Sequence, residues 1–333
     1  MKAAVIGAGS FGTAVATALA TNCEEVRIWA RERALVTALN ERHENPTYLP
    51  GIALPKNLLA FGDLGEALAG VELVCLATPS HATREVLLRA VGHLPKGAPI
   101  VTVSKGIENE TLLTMTEVME SVLPEELHPY LAVLSGPSFA KEMVMRLPTV
   151  VTIAAQWDKV ALRCQTAFNT ETFRSYTSSD VVGVQIGAAL KNVVAIAAGI
   201  SDGLGFGHNA RAALITRGLA EITRIAVRKG ANPLTLSGLA GMGDLVLTCT
   251  GELSRNRRVG LLLGEGRSLD QILSEMNQVA EGVKTAKSAR DLSRKMSVEL
   301  PICDQVYAIM YEGKNPKAAV VELMTRQPKN ELM

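Results

Sequence analysis

Lys191 stands at the centre of an apolar stretch, Val181 to Ile200, that reads VVGVQIGAALKNVVAIAAGI and places Asn192 beside it. At helical spacing Gly187, Ala188, Ala195 and Ala198 fall at i−4, i−3, i+4 and i+7 from the lysine, a strip of small side chains that leaves room for a ligand. A lysine held in apolar surroundings loses hydration of its charged form, so its pKa falls and it can donate and accept a proton near neutral pH. Against this catalytic reading stands a bland one, in which Lys191 lies at the edge of a core helix and snorkels to water. A membrane span is rejected. A central lysine costs about 2.5–3.5 kcal/mol there, and the Gly and Ala residues around it contribute little compensating hydrophobicity.

Five other groups of residues carry chemistry. Gly7-Ala-Gly9-Ser-Phe-Gly12 follows the apolar strand pattern Lys2 to Ile6 and precedes a helix-period run, which is the dinucleotide fingerprint in its context. Gly7 permits the tight turn, Gly9 lets backbone approach a pyrophosphate, and Gly12 allows close helix-to-strand packing. The second strand, Glu25 to Trp29, leads to Arg31 where an NAD-selective site carries an acid. A guanidinium there suits a 2′-phosphate, so NADP is expected with Arg33 as a second contact; the alternative is an exposed base answered by Glu32. Lys105, just beyond another strand, reads either as a ligand-facing cation or as a solvated loop residue. Asp244, the one acid in the Gly-rich segment Leu239 to Gly251, could hold the ammonium of Lys191 in place or merely cap a helix. Ser254-Arg255-Asn256 offers a planar donor fork between two neutral donors, suited to a phosphate or carboxylate, unless the basic run is a solvated face.

These groups need elements to position them. Further apolar runs at Glu72–Ala77, Pro99–Val103 and Leu131–Leu134 read as buried parallel strands separated by helices, with Thr149–Ala154 and Phe173–Tyr176 as additional strands. At their carboxyl ends stand polar turns and helix starts, the place where ligands bind in such sheets. The strand signal stops at Val181, and helix-period runs follow. The expected fold is therefore α/β: a Rossmann-type doubly wound sheet over residues 1–180, then an all-helical substrate-binding and catalytic domain over 181–333.

With 47% hydrophobic and 20% charged residues in 333, the chain is an ordinary globular one of two-domain length. Its 34 Lys and Arg balance 33 Asp and Glu, which argues against nucleic acid and an anionic membrane surface as partners. The five scattered cysteines show no metal-type spacing and no disulfide framework, so a cytosolic location and no metal are expected. No signal-type segment opens the sequence.

Taken together, GAGSFGTA, SKGIE, SGPSFAKE, LKNVVAIAAGISDGLGFGHNARAALITRGLAE, GMGDLVLTCTGELSRNRR and VAEGVKTA closely resemble the NAD(P)-dependent glycerol-3-phosphate dehydrogenases of bacteria, in matching order from Gly7 to about Ala286. The resemblance implies a cytoplasmic enzyme that reduces dihydroxyacetone phosphate to sn-glycerol 3-phosphate with NADPH or NADH, for glycerophospholipid synthesis, with a homodimer as the assembly to be tested. Lys191 would be the proton donor and acceptor, with Asp244 beside it. Lys105, Gly136, Ser138, Asn192, Thr248, Ser254, Arg255 and Asn256 would meet the substrate. Ser10, Phe11, Arg31, Arg33, Lys105, Ala140, Arg255, Val279 and Glu281 would meet the cofactor, together with the three glycines. Two other readings remain open at this point: a silent NADPH-binding sensor on the same fold, and a two-domain dehydrogenase for a carboxylated hydroxy acid.

Overall fold

The computed structural model describes residues 1–276, 279–328, 330 and 331. Its strands, in chain order, are β1 (Lys2–Ile6), β2 (Glu25–Trp29), β3 (Glu44–Asn45), β4 (Leu49–Ala53), β5 (Leu58–Phe61), β6 (Leu73–Leu76), β7 (Ile100–Thr102), β8 (Leu131–Ser135), β9 (Thr149–Ala155) and β10 (Phe173–Ser178). Eight of them form one sheet in the order β10-β9-β8-β7-β6-β1-β2-β5. Every pair is parallel except β8 with β9. The strands alternate between two cores: Ala3 and Val5 pack on one face with Val15 and Leu19, Ala4 and Ile6 on the other with Leu68 and Leu87. Both faces are covered, as a parallel sheet with crossover helices requires. From β1 the chain winds to β2 on one side and later returns to β6 on the other. The crevice at the carboxyl ends of β1 and β6 is thus the switch point, where ligands bind in such sheets.

The seven expected strands are all present. The structure adds β5 at the sheet edge and the two-stranded pair β3-β4. These are short, and β4 contains Pro50 and Gly51, so neither shows a periodicity long enough to read.

After β10 only helices follow among the described residues. The central helix, Val181–Gly203, opens with Asp180, whose side chain accepts from the Gly183 amide at 2.8 Å. Every residue from Gly183 to Ser201 is buried. Helices from Gly207–Arg228, Asp244–Thr250, Arg255–Gly264 and Glu281–Met296 surround it, which accounts for its apolar character on all sides. This helix is long and apolar enough to cross a membrane, but 89% of its apolar window is covered by the rest of the protein.

The small residues have a different use from the one expected. Gly187 seats the turn Leu239–Gly243, since a Cβ there would lie 2.8 Å from the Ala240 carbonyl oxygen, and Ala188, Ala195 and Ala198 are buried. None of these four lines the cavity described below. The strip next to Lys191 is closed by protein, and the ligand space lies beyond the lysine's tip. A second glycine set, four apart on each partner, joins the central helix to Arg255–Gly264. A Cβ on Gly199 would lie 2.0 Å from the Arg257 carbonyl oxygen, and one on Gly260 would lie 2.0 Å from that of Ile196. Gly203 and Gly264 meet Leu261 and Ile200 in the same way at 2.3 and 2.5 Å. The two backbones touch.

An alanine at 260 would therefore force the helices apart. Gly260→Ala should destabilise the fold by roughly 1–3 kcal/mol, the range of overpacked cores, read as a lower urea midpoint. A wild-type midpoint would show that the seam tolerates a side chain.

Candidate active site

A cavity of about 790 Å³ opens at the switch point, between the carboxyl ends of the strands and the helical part. Gly7 to Gly12 form one end of it. Gly7 has φ +118°, and its Cβ would lie 2.7 Å from the Ala77 carbonyl oxygen, while that of Gly12 would lie 2.0 Å from Gly7 O. Both positions exclude any other residue. Gly9 differs: its Cβ would meet nothing within 4 Å, so the backbone there lies open to the cavity. Gly9 also N-caps the ten-residue helix Ser10–Leu19, and no side chain caps that end. Free first-turn amides and the positive end of the helix dipole face a space that an added side chain would fill, which fits a dinucleotide pyrophosphate.

At the other end lies a charged triplet. Asp244 is the first residue of Asp244–Thr250, directly after the turn Leu239–Gly243, and it is 2% exposed. One oxygen meets Lys191 Nζ at 2.8 Å and the other meets Lys105 Nζ at 2.8 Å. Lys191 Nζ also donates to Thr248 Oγ1 at 2.6 Å, and that hydroxyl donates to the Asp244 carbonyl oxygen. Lys105 Nζ donates to Gly136 O at 3.1 Å and lies 5.6 Å from the centre of the Phe11 ring. Lys191 is 5% exposed and does not snorkel. Burial pulls its pKa down to about 8; Asp244 opposes that fall and Lys105 adds to it. Burial would raise the Asp244 carboxyl, but Lys105 and then Lys191 overrule it and hold the group below the usual carboxylate range. The lysine is thus a cation near neutral pH that can still release its proton.

The third wall is the start of the helix Arg255–Gly264. Ser254 is its N-cap, with Oγ accepting from the Arg257 amide at 3.2 Å, which leaves the hydroxyl proton to donate. Arg255 lines the cavity. Asn256 is fixed from both sides: its Oδ1 accepts from the Gly282 amide and its Nδ2 donates to Asn192 Oδ1, each at 2.9 Å. Glu281 reaches across to the sheet half, where its carboxylate accepts from Ser80 N at 3.1 Å and Ser80 Oγ at 2.5 Å.

Ser10, Phe11, Arg31, Lys105, Ser138, Ala140, Lys191, Asn192, Asp244, Thr248, Ser254, Arg255, Asn256, Val279 and Glu281 all line this one cavity. Gly136 stands just behind it, its carbonyl oxygen taking Lys105 and the Ser138 hydroxyl. Arg33, exposed on the first turn of Arg33–Glu41, does not line it. Arg31 does, but its guanidinium is 79% exposed and bonded to Glu32 at 3.0 Å. The Lys105–Asp244 pair, the amide chain through Asn256 and the Glu281–Ser80 contact were not foreseen, because each joins residues from 26 to 201 positions apart in the chain.

The sequence profile for the NAD-dependent glycerol-3-phosphate dehydrogenase N-terminus matches residues 2–161, and that for the C-terminus matches residues 180–321. A glycerol-3-phosphate dehydrogenase [NAD(P)+] of Myxococcus xanthus is 72% identical over 332 residues, covering 100% of this chain and 99% of the relative. The enzyme of the same name from Anaeromyxobacter dehalogenans is 59% identical over the full length of both. A crystal structure of glycerol-3-phosphate dehydrogenase from Coxiella burnetii superposes with a TM-score of 0.92 at 39% identity, covering 98% of this chain and 99% of that one. With both profiles matched and full-length relatives well above 30% identity, the chain belongs to the NAD-dependent glycerol-3-phosphate dehydrogenase family.

Proposed function

We propose that this chain interconverts dihydroxyacetone phosphate and sn-glycerol 3-phosphate as an NAD(P)-dependent dehydrogenase, acting as a reductase with NADPH. Residues 1–180 hold the dinucleotide, and residues 181–333 supply the acid and the phosphate contacts. The observation that carries this reading is the buried Lys191–Asp244–Lys105 triplet in the same cavity as the open glycine turn. The free, buried cysteines support a reducing compartment such as the cytoplasm.

When bound, a reduced nicotinamide supplies hydride. The turn at Gly7 to Gly12 would hold the diphosphate, Arg31 the 2′-phosphate end, and Val279 and Glu281 the opposite wall. As the carbonyl carbon is reduced, negative charge grows on its oxygen; the Lys191 ammonium stabilises that charge and then gives up a proton to it. Asp244 stays ionised. It fixes the direction of Lys191 Nζ and keeps its pKa from falling so far that the acid form is lost. Ser254, Arg255 and Asn256 would grip the phosphate, far from the reacting carbon, and use that binding to orient the ketone.

Lys191→Ala should lower turnover about 10²–10⁴-fold while leaving NADPH affinity nearly unchanged, and Lys191→Arg should not rescue it, since a guanidinium keeps its proton. Because reduction needs the protonated lysine, kcat/KM for dihydroxyacetone phosphate should fall as pH rises through about 8, and oxidation of glycerol 3-phosphate should show the opposite slope. Normal turnover in the alanine variant, measured by NADPH absorbance, would remove Lys191 from the reaction.

Arg255→Ala should raise KM for dihydroxyacetone phosphate and also lower turnover, because remote binding energy is used for orientation. Unchanged kinetics would place this arginine on a solvated face.

For the cofactor, Arg31→Asp removes a guanidinium and adds repulsion toward a 2′-phosphate. Titrations should show NADPH binding weakened far more than NADH binding. Equal losses for the two would refute the assignment.

A further inference from the structure

The helix Arg255–Gly264 carries a second arginine, Arg257, that does not line the cavity and has no part in the chemistry above. It belongs to a charge cluster centred on Asp202, in the last turn of the central helix. Each oxygen of Asp202 takes one guanidinium. Oδ1 accepts from Nε and Nη2 of Arg211 at 2.8 and 2.6 Å, and Oδ2 accepts from Nε of Arg257 at 2.8 Å, with Arg257 Nη2 in ion-pair contact at 2.7 Å. The cluster is well covered, with side-chain exposures of 6% for Asp202, 20% for Arg211 and 19% for Arg257.

Arg257 follows Arg255 by two residues, so at about 100° per residue the two side chains leave the helix on roughly opposite sides. One points into the cavity while the other is tied back. The seam under this helix is built on Gly199, Gly203, Gly260 and Gly264, which bring the backbones together, and Val259 and Leu263 share a core cluster with Ile196 and Ile200. Asn192 and Gly282 fix Asn256 on the cavity side, and the Asp202 carboxylate ties the Arg257 guanidinium on the opposite side. Asp202 also separates two like charges: without it, Arg211 and Arg257 would face one another unneutralised.

We propose that Asp202 is a positioning residue for the phosphate wall: through Arg257 it holds the rotation of the first turn of the helix Arg255–Gly264, and with it the direction in which Arg255 faces the cavity. This inference rests on the phosphate-binding role of Arg255 proposed above, and acts only through it.

The test is steady-state kinetics with dihydroxyacetone phosphate on Asp202→Asn, Arg257→Gln, Arg211→Gln, Arg255→Ala and the double variant Asp202→Asn/Arg255→Ala. Asp202→Asn and Arg257→Gln should each raise KM about 5–30-fold, change kcat by less than about threefold and leave the NADPH dissociation constant alone. Arg211→Gln keeps the Asp202–Arg257 pair and should retain the wild-type KM, whatever it does to the melting temperature. In the Arg255→Ala background, Asp202→Asn should add less than about twofold, because its effect passes through the missing guanidinium. A wild-type KM in Asp202→Asn and Arg257→Gln with only a lower melting temperature overturns the proposal, and so does an equal KM effect in both backgrounds. Should Asp202→Asn fail to fold, Arg257→Gln carries the same comparison. An unmoved KM in Arg255→Ala overturns the phosphate reading itself, whereas a raised KM there beside a wild-type KM in Asp202→Asn overturns this proposal alone.

Discussion

One buried carboxylate decides how this molecule is put together. Asp244 is almost without solvent, and an isolated ion in that position would cost several kcal/mol of lost hydration. It is tolerated because two ammonium groups stand 2.8 Å away, one on each oxygen. Those cations have their own hydration to replace, and the Thr248 hydroxyl and Gly136 carbonyl oxygen complete the set. Satisfying all of them requires β7 to end beside the central helix and the turn Leu239–Gly243 to press against it. The fold is the arrangement that lets these charges meet.

The triplet as drawn carries one excess positive charge. In the proposed reduction, charge of the opposite sign would grow on the ketone oxygen, so the site would be complementary to the later stages of that reaction more than to the neutral ketone. The same cations would be poor company for a second positive group. Their excess positive charge favours anionic ligands, and Arg255 lines the same cavity.

Much of this could be read from the chain. The glycine turn is legible because a strand, three glycines and a helix follow one another locally, and an added Cβ at Gly7 or Gly12 would clash with a backbone oxygen. Lys191 is legible as an anomaly, a charge amid buried apolar residues. What surrounds it is less so. Helical spacing identified the small residues near Lys191 but not what fills their space, since Gly187 could seat either a ligand or the backbone of another turn. Lys105 reads either as a cation facing a ligand or as a solvated loop residue, and its partner Asp244 lies 139 positions away, a distance that no local pattern reports. Arg31 shows the opposite case: its place at the end of β2 is a local feature, and the structure has it exposed and paired with Glu32, the alternative that its neighbour in sequence suggests.

The groups that meet at Asp244 come from distant parts of the chain. Lys105 arrives with the sheet, whereas Lys191 and Asp244 come from the helices, and the Glu281–Ser80 contact crosses the same divide. Neither part alone holds the whole triplet, so the charged end of the cavity is complete only where the sheet and the helices meet on one shared carboxylate.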